Sequence, residues 1–163
     1  MRNFLLNWHL KKSSVPHQYI GWKKMKSVLI VYDVLDGDHR PEVFKLIELL
    51  KKEGKSVYIL GFHYGKKPKE NQPNDTYFKQ DTTFIKSPKR QVRESLPGEV
   101  DLLIDWSKAP KSPNDFLTVR IKSGLKLGID RNLPCFDIAI KGHEFMPENV
   151  IEEVMKYIKL INK

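Results

Sequence analysis

Asp33 and Asp105 each close an apolar run, Ser-Val-Leu-Ile-Val-Tyr-Asp at 27–33 and Val-Asp-Leu-Leu-Ile-Asp-Trp at 100–106. Two carboxylates at neighbouring strand ends can serve as a general acid and base, provided unlike surroundings drive their pKa values apart. Asp33, with Asp36 and Asp38 in the turn after the first run, could instead hold magnesium against a phosphorylated ligand, because that ion takes one or two carboxylates together with phosphate oxygens. Asp36 and Asp38 also suit a plainer use as turn and helix-cap residues. Ser107 and Ser112 follow the second run and complete a candidate ligand-binding set of Asp33, Asp36, Asp105, Ser107 and Ser112. Ser107 lacks the Gly-x-Ser-x-Gly elbow that exposes a nucleophile, so no catalytic residue is assigned.

Other chemistries lack their spacing. His9, His17, His39, His63 and His143 form no His-Glu-x-x-His pattern, and neither a G-x-G-x-x-G nor a Walker loop is present. The sequence therefore implies no metal centre and no cofactor. Cys135, the one cysteine, reads as a small thiol beside a strand and agrees with a reducing compartment.

The net charge of +9 is unevenly spread. Residues 1–26 carry Arg2, Lys11, Lys12, Lys23, Lys24 and Lys26 and no acid, while residues 66–93 carry eight basic side chains against Glu70, Asp75 and Asp81. Lys66, Lys67, Lys69, Lys89, Arg90 and Arg93 are the candidate basic surface. Tyr64, Tyr77, Phe78 and Phe84 lie among these charges, and such aromatics can stack bases while lysines follow phosphates. No RNA-binding signature accompanies them, so nucleic acid is a secondary possibility beside a small ligand or a protein partner.

The elements that must position these residues follow from periodicity. Continuous apolar runs suit strands buried on both faces of a parallel sheet, whose ligand crevice lies at the carboxyl ends. Between Pro41 and Gly54, Val43, Phe44, Ile47 and Leu50 share one helical face, and Ser56 to Phe62 returns as a strand. Strand, helix, glycine and strand make a βαβ unit. Further expectations are a short strand at 82–85, a helix near 89–96 and a helix from Asp115 to Lys122 that Ser112 and Pro113 start. Two short strands at 125–129 and 136–140 and a final helix over 147–161 complete the chain.

The predicted architecture is an α/β three-layer sandwich with a mostly parallel, Rossmann-like sheet of five or six strands. It forms a single domain over 27–163, preceded by a basic arm over 1–26 with a short amphipathic helix that uses Phe4, Leu5 and Trp8, with Leu6 and Leu10 as further candidates for its apolar side. That helix could lie on a membrane surface or on a partner, but packing against its own domain is the preferred expectation. No apolar run reaches the roughly 20 residues of a membrane helix. The opening residues lack a secretory pattern, which predicts a cytoplasmic protein.

A basic leader, a strand ending in Asp33, Glu53-Gly54-Lys55 before the second strand and Asp101-Leu102-Leu103-Ile104-Asp105 together resemble a small uncharacterised bacterial family with a Rossmann-like core. That resemblance implies a fold and no activity. Over about 30 residues, Asp101 to Asp105 followed by Leu127-Gly128-Ile129 is similar to the N-terminal domain of heptosyltransferase-type glycosyltransferases. Their glycine-rich opening loop is replaced here by Asp33 to Asp38, and their second domain is missing. The expected function is a non-catalytic ligand- or partner-binding domain with its site at the strand carboxyl edge. The alternatives are a magnesium-assisted or sugar-nucleotide-binding enzyme and, more weakly, an RNA-contacting protein.

Overall fold

The computed structural model describes residues 2–12, 20–34, 41–65, 75–109, 111–142 and 147–161. In chain order these form α1 (Arg2–Lys12), β1 (Ser27–Val34), α2 (Pro41–Lys52), β2 (Ser56–His63), β3 (Thr76–Phe78) and a 3₁₀ turn at Lys79–Asp81. There follow α3 (Arg90–Glu94), β4 (Glu99–Trp106), α4 (Asn114–Arg120), β5 (Lys122–Ile129), β6 (Ile138–Ile140) and α5 (Pro147–Leu160).

The six strands make one sheet in the order β3-β2-β1-β4-β5-β6, and every neighbouring pair is parallel. The order reverses direction between β1 and β4, the point at which open α/β sheets leave a crevice beyond the strand ends. Alternation along the strands sends residues to opposite faces. Val28, Ile30, Tyr32, Leu102 and Ile104 pack under α2 and α5 with Val43, Leu46, Leu50, Val154 and Ile158. Leu29, Val31, Leu103 and Tyr77 pack on the other face with Leu117, Ile121 and the α3 residue Val92. These are the three layers of a Rossmann-like sandwich.

Local chemistry sets the boundaries. Gly54 ends α2 in the left-handed region at φ 75°, with Gly54 N–H donating to Lys51 O and Lys55 N–H to Leu50 O, the paired bonds of a Schellman cap. The Lys55 ammonium then turns inward, donates to the carbonyls of Trp22 and Met25, and lies 4.0 Å from the Trp22 ring centre. Gly128 lets the Phe136 ring lie directly on β5; a Cβ there would come within 2.7 Å of it.

Two expectations are corrected. The stretch 82–85 is not a strand: Thr82 makes one isolated bridge to Pro88, and Thr83 to Ser87 form a tight turn with Lys86 at φ 63°. The third strand is Thr76–Phe78 instead, whose pairing with Gly61 to His63 gives it the order that its own three residues could not. The fourth helix stops at Arg120, and Lys122 already pairs with Glu99 in the sheet.

α1 contributes a partial fourth layer. Its Leu6 is buried with Phe116 and Val119 of α4, and Leu5 and Leu10 pack against the same cluster. Phe4 and Trp8, predicted as the apolar stripe, face outward.

Candidate functional site

β1 and β4 are neighbours with Val31 opposite Asp105, so Asp33, two residues beyond Val31, projects from the same face as Asp105. Both carboxylates are completely buried. Each is engaged by protein groups that bind the chain together across the strand-order reversal.

Asp33 Oδ1 accepts the Lys108 amide at 2.5 Å and Oδ2 accepts the Ala109 amide at 3.0 Å, so the end of β1 captures the loop that leaves β4. The Tyr64 hydroxyl donates to Oδ2 at 3.4 Å. Asp105 Oδ1 accepts the Ser107 amide at 2.9 Å, an Asx turn that starts the same loop, and Oδ2 accepts the Thr118 hydroxyl at 2.8 Å.

The network continues through residues that no motif marked. Asn114, the first residue of α4, donates from Nδ2 to Tyr32 O at 2.8 Å and Ser107 Oγ at 3.0 Å, and its Oδ1 accepts the Tyr77 hydroxyl at 2.6 Å. One amide side chain therefore joins β1, β3, the loop after β4 and α4. The Asn114 backbone amide donates to Ser112 Oγ. Ser107 and Ser112 are fully buried parts of this lattice.

Two arginines offset part of this buried negative charge. Arg131, in the loop after β5, donates from Nη2 to Asp115 Oδ1 and from Nη1 to Ala109 O, and its Nε lies 3.6 Å from Asp105 Oδ1. Arg2 of α1 donates from Nη2 to Asp115 Oδ2 at 2.6 Å and to Ser112 O at 2.9 Å. Burial pushes the Asp115 carboxyl above its ordinary pKa, and the two guanidiniums oppose that shift. Burial, reinforced by Asp33, raises the Tyr64 phenol to about 12, and burial raises Tyr77 well above 10.0. Lys126 sits against the α4 carboxyl end and donates to Thr118 O and Val119 O; desolvation lowers its pKa.

This arrangement holds a loop rigidly and keeps its acids from solvent. Completely buried as they are, Asp33 and Asp105 present no oxygen at the surface to a substrate proton. At the rim, Tyr64 is partly exposed and Lys108 exposed. No group of three or more His, Cys, Asp or Glu is placed to hold a metal among the described residues. Asp36, Lys66, Lys67 and Lys69 lie outside the described residues. Of the remaining basic candidates, Lys89 and Arg90 are exposed, Arg90 pairs with Glu94 at 2.6 Å, and Arg93 donates to Pro88 O.

Sequence patterns located the aspartates and missed Arg2, Asn114, Asp115, Thr118 and Arg131 as their partners. One signal was available: Arg131 follows a strand ending at Ile129, which in a parallel sheet puts it at the same edge as Asp105. No helix among the described residues is long and apolar enough to cross a membrane.

No curated protein and no solved structure matches the chain, so the likeness to heptosyltransferase-type domains finds no support. A family of unknown function, DUF6913, matches residues 2–161, nearly the whole length over which the sheet, its helices and the buried charge lattice are built, and the chain belongs to that family.

Proposed function

We propose that the chain is a non-catalytic binding domain whose ligand or protein partner engages the carboxyl edge of the sheet, above the junction of β1 and β4. The observation that carries this reading is the double capture of the Lys108 and Ala109 amides by buried Asp33. It fixes the loop at the place where parallel sheets receive ligands, while leaving the acids inaccessible for proton transfer. In this reading Asp33, Asp105, Ser107 and Ser112 form the floor, and the exposed Lys108 with the hydroxyl of Tyr64 forms the contacting rim. The magnesium-assisted alternative is less well supported, because both Asp33 oxygens already accept amides.

The test is thermal unfolding with a panel of nucleotides, sugar nucleotides and sugar phosphates, each with and without magnesium. A ligand of the native state at about a hundredfold excess over its Kd adds about 2.7 kcal/mol of stability. The expected result is a metal-independent rise in the midpoint that Tyr64→Phe or Lys108→Glu diminishes. A rise that strictly requires magnesium and is accompanied by turnover would replace this reading with the enzymatic one. A panel without any shift would remove small ligands of these classes and leave a protein partner.

A further inference from the structure

We infer that the outer face of α1 and the adjoining turn at 83–87 form a docking surface for an anionic lipid bilayer. α1 buries Leu6 against α4 and so presents Phe4 and Trp8, one helical turn apart, to the outside, where they are 73% and 45% exposed. Ile85 packs into the same small cluster as Leu5 and Leu10, which sets its turn beside the helix. Phe84, at the tip of that turn, is 88% exposed, more than any other large apolar side chain among the described residues.

The turn holds Phe84 outward by construction. Thr83 N–H donates to Ser87 O, Lys86 N–H to Thr83 O and Ser87 N–H to Thr83 Oγ1, and Lys86 takes the left-handed conformation that closes the loop. With the backbone of the turn so fixed, the Phe84 ring adds to the apolar surface that Phe4 and Trp8 expose on α1.

Charge selects the occupant. α1 contains Arg2, Lys11 and Lys12 and no acid, and residues 83–93 contain Lys86, Lys89, Arg90 and Arg93 and no acid. Arg2 pairs with Asp115, Arg90 pairs with Glu94 and Arg93 donates to Pro88 O; Lys86 and Lys89 of the turn region are exposed. Aromatic rings that insert at headgroup depth, flanked by lysines that meet lipid phosphates, are the components of an interfacial anchor. The rings stand on the outer face of a helix and at the tip of a turn, positions from which they can insert at headgroup depth.

The experiment is co-sedimentation of the full chain with vesicles of phosphatidylcholine mixed with phosphatidylglycerol, against vesicles of phosphatidylcholine alone, followed in parallel by tryptophan fluorescence. Trp22 and Trp106 are buried in the core, so a blue shift on vesicle addition reports Trp8. The expected result is pelleting and a blue shift with the anionic vesicles only. Phe4→Ser, Trp8→Ser and Phe84→Ser should each lower the partition by about tenfold, as should the pair Lys86→Glu with Lys89→Glu. These side chains are exposed, so the variants should keep the wild-type melting midpoint. Absence of pelleting and blue shift overturns the inference. Pelleting that survives the aromatic substitutions also overturns it, because charge alone would then account for binding. Tighter binding to single-stranded RNA, equally sensitive to those substitutions, would make this a base-stacking surface instead.

Discussion

The two edges of the sheet use the same device at different depth. At the amino edge Asp101 Oδ2 accepts the amides of Lys26 and Ser27 and the Ser27 hydroxyl, at 2.7, 2.8 and 3.0 Å, and so fixes the entry into β1 from a partly buried position. At the carboxyl edge Asp33 accepts two amides just as directly, but from full burial and beside Asp105, Asp115 and Arg131. A capping aspartate needs no burial to work. The extra burial at the carboxyl edge therefore has a separate consequence: loop, helix α4, β5 and the α1 arm are coupled through one desolvated charge cluster, and removal of any member leaves others uncompensated.

The sharpest way to break that contrast is Arg131→Ala. It strips Asp115 and Asp105 of a buried cation and Ala109 O of a donor, which should cost about 3–5 kcal/mol, the range for one partner lost from a buried ion pair. Urea unfolding measures it. A loss below about 1 kcal/mol would mean that the cluster is solvated and that the two edges are energetically alike.

Next in size is Asp33→Ala, which orphans the Lys108 and Ala109 amides and should cost about 1–3 kcal/mol. The matching substitution Asp101→Ala, where water can reach the freed amides, should cost about 1 kcal/mol or less. Equal losses in the two variants, compared by urea midpoints, would cancel the distinction between fully and partly buried capping.

Much of this arrangement was legible in the sequence, and the limits were physical. The runs ending at Asp33 and Asp105 are eight-residue strands buried on both faces, and α2 and α5 carry a 3.6-residue apolar period, so local pattern sufficed. β3 has three residues and becomes a strand only by pairing with β2, whereas Thr-Thr-Phe-Ile at 82–85 has strand-forming residues and no neighbour to pair with. The placement of Asp33 and Asp105 followed from strand order. Their partners did not, because the bonds from Lys108 to Asp33 and from Arg2 to Asp115 join residues 75 and 113 apart, and such distances leave no periodic trace. The buried roles of Ser107 and Ser112 depend likewise on Asn114, an unremarkable helix-start residue until β1 and β3 converge on it.

The smallest effect, and the one that separates the edges by sign, is acid dependence. Burial acts to raise the Asp101 pKa, but the bonds from Lys26 and Ser27 outweigh it and hold the carboxyl below 3.8. Its contribution is thus complete above the unfolded value and disappears as the pH falls through the lower folded value. Asp115 is raised above 3.8, so the folded state binds its proton first, and acidification through that interval favours the fold by this group alone. Urea midpoints taken from about pH 7 to about pH 3 should therefore fall less steeply in Asp101→Asn than in the wild type. Parallel acid limbs in the two proteins would show that the amino-edge cap is too solvated to sense its charge, and the remaining acid sensitivity would belong to other carboxylates.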